Sequence, residues 1–301
     1  MNLKLSLQSI SLKHLFTGTI LALFTGRAIN YFFFDSPIRV ILWNQKLLHK
    51  FIEKTFSLTW TEYSTIYANN LAIWGDRLFF TTSIIVIIVI VFNLIRQKEV
   101  NKNIYLFAFL ITLLFSILHY LDNAKRVGLF LELSNQTMTP LICLLLLNSK
   151  RERVTLSIIS ICIASTFLGH GLFAWGIYPV PAHFIDMTLN TFSILNEFQA
   201  RLFLKHAAAL DLIIALAAIY LIFTKFKYNK YVVLVMWYAV AWGFITSLAR
   251  YSLYLSKWID FYGIHSFIPQ ILFRVPHWTL PLALIITLYT KKVNQSEKVD
   301  N

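Results

Sequence analysis

Apolar runs of roughly 18–22 residues recur along this chain, and that length is what a helix needs to cross a hydrocarbon core about 30 Å thick. The plainest lies in residues 78–95 and contains IIVIIVIVF without a break. A backbone in lipid must satisfy its own hydrogen bonds, so such runs read as α-helices. We read eight spans: Leu15–Phe34, Leu78–Ile95, Ile104–Leu121, Val127–Leu147, Val154–Ile177, Leu202–Phe223, Tyr231–Leu248 and Phe267–Tyr289. Of the 301 residues, 57% are hydrophobic and 14% are charged, too little charge to coat a soluble globule of this size. The expected fold is all-α, a polytopic membrane protein.

The net charge of +13 does not point to nucleic acid, because Lys and Arg sit in short clusters between the apolar runs. More than half of the 27 fall at the N-terminus and at residues 96–102, 150–153, 225–230 and 291–298. With eight spans these lie on one side, and the positive-inside rule makes that side the cytoplasm, together with both termini. The expected location is the cell's inner or plasma membrane. Cys143 and Cys162 fall inside apolar runs and read as packing residues.

Eight spans divide into two sets of four, residues 1–148 and 149–301. Each set has a long external segment after its first helix, at about 35–76 and 178–201. Leu23–Arg39 and Thr166–Asp186 share a pattern: Gly26-Arg27 is followed by Pro37, and Gly169-His170 by Pro181. The last spans also match, as Met138-Thr-Pro140-Leu and Thr279-Leu-Pro281-Leu. An even-numbered repeat keeps its orientation, so the halves are expected to be related by an axis along the membrane normal.

The external segments read as amphipathic helices. Ser36-Pro37 is expected to cap and open the first, with Trp43, Leu47, Leu48, Phe51 and Ile52 on one face. Pro181 is expected to open the second. There His183, Asp186, Asn190, Ser193 and Glu197 form a polar stripe, and Glu197 pairs with Arg201.

The ionisable residues of the spans collect in their outer halves. Arg27, Glu132, His170, His206, Asp211, Arg274 and His277 are the expected members of one outward-facing polar cavity, with His119, His183, Asp186 and Arg250 as a second tier. A charge at mid-bilayer costs roughly 2.5–3.5 kcal/mol, so several are expected to share a hydrated space. The competing structural reading is a set of buried pairs such as Arg27 with Glu132, while His119, Arg126 and Arg250 reach the headgroups by snorkelling. His170, His206 and His277 have no metal-ligand spacing, so neither a metal nor haem is expected.

These motifs resemble the four-helix membrane modules of the DoxX-like family, in which the first helix ends in F/L-x-G-x and an external segment follows. The resemblance rests on Phe24-Thr-Gly26-Arg27 with Pro37 and Phe167-Leu-Gly169-His170 with Pro181, and the chain looks like two such modules in tandem. The family's name comes from membrane subunits of a thiosulfate:quinone oxidoreductase. It therefore implies a redox-associated module facing a quinone, and it transfers no catalytic residue. Two function classes follow. One is a protein that binds a quinone or lipid-like molecule through Arg27, His170 or His277. The other is a non-enzymatic scaffold, transport or envelope-assembly component with membrane or periplasmic protein partners.

Overall fold

A computed structural model describes residues 2–147, 151–257 and 261–296 and, for side chains, residues 12–147, 151–253 and 265–293. Among the described residues there are helices and no strands. Six helical stretches are long and apolar enough to cross a membrane: Trp60–Ile95, Lys102–Asp122, Glu152–Trp175, Glu197–Phe223, Lys230–Leu253 and His265–Val293. This marks the chain as a membrane protein.

The first half contains α1 (Asn2–Phe33), α2 (Arg39–Leu42), α3 (Gln45–Phe56), α4 (Trp60–Glu62), α5 (Ala68–Ile95), α6 (Lys102–Asp122), α7 (Val127–Glu132) and α8 (Ser134–Leu146). The second contains α9 (Glu152–Trp175), α10 (Ala182–Thr191), α11 (Glu197–Phe223), α12 (Lys230–Leu248), α13 (Phe261–Leu272) and α14 (Pro276–Ser296). A π-helical stretch, Tyr63–Tyr67, joins α4 to α5, and a 3-10 stretch, Ala249–Lys257, follows α12.

Two helices form the centre. The first, α1, packs on α5, α8, α13 and α14, and α9 packs on α7, α8, α11 and α14. Phe16, Ile20, Leu23 and Phe24 from α1, and Ile159, Ile163 and Phe167 from α9, are buried in one core. The outer helices keep apolar residues exposed, such as Ile88 and Phe92 on α5 and Leu212 and Leu216 on α11. In water such surface would drive association; in lipid it is the matched surface. Cys143 and Cys162 are free and buried.

Glycine permits two close helix contacts. A Cβ at Gly26 would lie 2.9 Å from the Pro269 carbonyl oxygen and from Leu272 Cβ. At Gly169 it would lie 2.6 Å from Gly128 O and Glu132 N. Each central helix thus meets the broken helix of the other half. The breaks have separate causes. At Leu133 the hydroxyl of Thr166 enters the rung that would join Asn135 N to Leu131 O: it accepts from Asn135 N at 3.0 Å and lies 3.5 Å from Leu131 O. The second break, at 273–275, precedes Pro276, which opens α14 and disfavours helix in the residue before it.

The basic clusters meet at one end of the bundle. Lys13 reaches Glu99 at 2.5 Å, Lys291 reaches Glu152 at 3.2 Å, and Lys291 and Lys292 lie over the rings of Phe226 and Tyr228.

Several boundaries differ from the sequence reading. Ser36 is no helix cap: its N–H donates to Asp76 Oδ1 at 2.8 Å, and the side chain that caps α3 is Asn44, accepting from Leu47 N. Leu48 and Ile52 pack inward, while Trp43, Leu47 and Phe51 are exposed. The long helix of the second span begins well before Leu78, because the π-helical stretch carries it back towards Trp60. The polar stripe after Pro181 is not continuous: α10 ends at Thr191, and Glu197 belongs to α11, capped by Asn196.

Candidate binding cleft

Opposite the basic end, the helix ends leave a cleft of about 620 Å³. Its walls come from the end of α1, the end of α6, the break between α7 and α8, residues 273–274 and the start of α10. Arg27 stands 14 residues beyond Lys13 on a continuous helix, so it sits about 21 Å up the bundle. It is 7% exposed. Its Nη2 donates to Gln136 Oε1 at 2.6 Å. The guanidinium carbon lies 3.6 Å from the ring centroid of Phe115 and 4.6 Å from that of Phe273. Two ring faces thus offer cation–π attraction. Among the described residues no carboxylate is within ion-pair distance of Arg27.

The buried carboxylate beside it, Glu132, is used elsewhere. One of its oxygens is 3.5 Å from Arg274 Nη2 and 3.5 Å from His170 Nδ1. These are long for hydrogen bonds, and the attraction is mainly one of charge. The pair of Arg27 with Glu132, the competing structural reading, does not form: the break at Leu133 leaves Glu132 facing α9 and Arg274, while Gln136 meets Arg27. Arg27, Arg274 and Glu132 therefore place two fixed cations and one anion around the cleft floor.

The second-tier residues divide. His119 stacks on Phe115 with centroids 5.5 Å apart and lines the cleft, as does His183. His183 is accessible, but to a concave space. That crowding, with Arg250 and Arg274 facing it, pushes its pKa down to about 4. Asp186 is on the exposed face of α10.

A second, smaller pocket of about 60 Å³ lies behind the cleft, and Arg274 and Phe184 line both. His170, Asp211, Arg250 and His277 line the inner one. Asp211 is buried and accepts from Trp242 Nε1 at 3.1 Å. His206 reaches neither pocket: it is exposed on α11, and its Nδ1 contacts Leu202 O at 2.8 Å. Arg201 does pair with Glu197, through Nε and Nη2 on one oxygen. No group of three or more His, Cys, Asp or Glu among the described residues could hold a metal ion.

Gln136, Phe115, Phe273 and Trp242 are site residues that sequence reasoning did not single out. For Gln136 a signal exists. It stands four residues before Pro140, as His277 does before Pro281. No protein-family model matches this chain, and no curated protein or solved structure is significantly similar to it.

Proposed function

We propose that the protein binds an amphiphile, a quinone or a lipid-like molecule, with its oxygen-bearing head group on Arg27 and its apolar body against Phe115 and Phe273. The observation that carries this is a buried guanidinium whose partners among the described residues are a neutral amide, two aromatic faces and the Tyr31 hydroxyl, with no carboxylate, beside an open polar cleft. The excess of cation over anion at the cleft floor favours a head group rich in electron density. The volume is within the roughly 300–1,000 Å³ typical of small-molecule sites.

In the same reading the chain is a pair of DoxX-like modules, eight spans in all, with both termini cytoplasmic and the cleft facing outward. Support comes from matched contacts. Gly26 lies against Pro269, and Gly169 against Gly128. These two partners precede Pro281 and Pro140 by the same number of residues. The helix α1 packs on α13 and α14, and α9 on α7 and α8. The meeting of the basic clusters at one end supports the orientation. Single-cysteine variants in intact cells should label from outside at 45 and 190, and not at 151; labelling at 151 would reverse the assignment.

A scaffold role is the second reading, favoured by Leu47, Phe51 and Phe56, which α3 leaves exposed. Solvent extraction of the purified protein, with mass spectrometry of what is released, separates the two. The binding reading expects one stoichiometric amphiphile that is depleted in Arg27→Gln. A bulk-lipid profile identical in both proteins would remove it.

A further inference from the structure

The inner pocket contains an uncommon feature. His277 is 4% exposed, and neither Nδ1 nor Nε2 has a hydrogen-bond partner in the protein. A buried imidazole always carries at least one nitrogen that donates or accepts, and leaving both unmet costs free energy. Yet the backbone around this side chain is held closely. A Cβ at Gly243 would lie 2.9 Å from the His277 carbonyl oxygen, so α12 and α14 touch at this level. The His277 ring also faces that of His170, with centroids 5.4 Å apart. The position is built, and its hydrogen-bonding capacity is directed at the space beside it.

That space has the size for water, and a few polar groups converge on it from walls that are otherwise apolar. About 60 Å³ gives room for about two molecules at the roughly 30 Å³ each takes up in the liquid. Water also needs several polar partners, and the walls supply them in His170, Asp211, Thr246 and His277. An apolar occupant would leave the His277 nitrogens unmet. The charged and titratable groups facing His277 are His170 from α9, Asp211 from α11, Arg250 from the 3-10 stretch, Glu132 from α7 and Arg274 on its own segment. Asp211 keeps one oxygen on the Trp242 indole. His170 stands between the two compartments, against His277 on one side and Glu132 on the other.

We propose that the inner pocket is a hydrated proton-exchange site, in which ordered waters bonded to His277 join Asp211 to the His170–Glu132 pair at the cleft floor. Arg274 and Phe184, which line both spaces, form the partition. A proton passes along this route by exchange of hydrogen bonds, with no net chemistry at any residue. Hydration of His277 stands on its own geometry, whether or not an amphiphile occupies the cleft.

Water-edited solid-state NMR tests this on the full chain in lipid bilayers, with isotope-labelled histidine and isoleucine. Magnetisation from water should reach the His277 ring nitrogens as fast as it reaches His183 in the cleft. It should arrive far faster than at the Ile214 amide, whose residue is fully buried. His277→Gln assigns the signals. If that variant does not fold, ring-to-ring transfer from His170 assigns them in the unaltered protein. Ala207→Leu, which fills the pocket wall, should slow the transfer. Asp211→Asn should shift the His277 resonances, and the exposed Asp186→Asn should not. Transfer to His277 as slow as to Ile214 would overturn the hydration. Resonances unmoved by Asp211→Asn would overturn the link to the carboxylate.

Discussion

Arg27 and His170 each follow a glycine that lets a central helix lie against a broken helix of the other half. Around Arg27 the neighbour one turn before the helix proline is Gln136, a neutral acceptor, and the guanidinium borders a wide cleft. Around His170 the equivalent neighbour is His277, and the ring closes onto a small pocket. Glu132 is shared between His170 and Arg274, and among the described residues Arg27 has no carboxylate within ion-pair distance. Similar backbone packing thus supports a guanidinium beside an open cleft in one place and a pair of imidazoles beside a small pocket in the other. What a helix break does depends on the residue it turns into the gap.

The largest expected effect comes from Glu132→Gln. Removing one member of a buried ion pair leaves its partner uncompensated and costs about 3 kcal/mol or more. Arg274 and His170 lose their anion, so thermal unfolding in detergent should move well down, while the contact of Arg27 with Gln136 survives. An unchanged midpoint would mean that Glu132 is solvated and does not organise the inner side.

The glycine contacts come next. In Gly169→Ala the new methyl meets backbone at 2.6 Å, and α7 and α9 must part; overpacking of this kind costs about 1–3 kcal/mol. Gly26→Ala meets the Leu272 side chain and the Pro269 carbonyl at 2.9 Å and should cost less. Gly18→Ala has nothing within 4 Å and should be neutral or stabilising. Equal effects at Gly169 and Gly18 would remove the argument for close packing at the break.

The smallest effect is in pH. His183 is neutral in the fold down to about pH 4, against an ordinary value of 6.5. Below pH 6.5 the unfolded chain takes up a proton that the folded chain refuses. The contribution of His183 is therefore present above that value and is lost as pH falls from 6.5 towards 4. A pH series of thermal midpoints should show a shallower decline over that window in His183→Gln than in the unaltered protein.

The sequence carries the membrane-helix pattern because span length and basic clustering are properties of contiguous residues. It does not carry azimuth. His206 and Asp211 are five residues apart on α11, yet one faces outward and the other the pocket. The break at Leu133 depends on a hydroxyl from Thr166, distant in the chain, and no local signal announces it. Once that break is placed, the pairing of Glu132 with Arg274 and the release of Arg27 to Gln136 follow.

The central claim is that Arg27 holds a head group in the cleft. Native mass spectrometry of the protein released from membranes, unaltered and as Arg27→Gln, tests it most directly. A charge-assisted hydrogen bond is worth about 1.5–3 kcal/mol, and each 1.4 kcal/mol is about tenfold in affinity. The account predicts one bound amphiphile on the unaltered protein and affinity for it weakened about tenfold or more in Arg27→Gln, read as a clear loss of occupancy, with the thermal midpoint showing that the variant is folded. Equal occupancy in the two folded proteins, or none in the unaltered one, would contradict it.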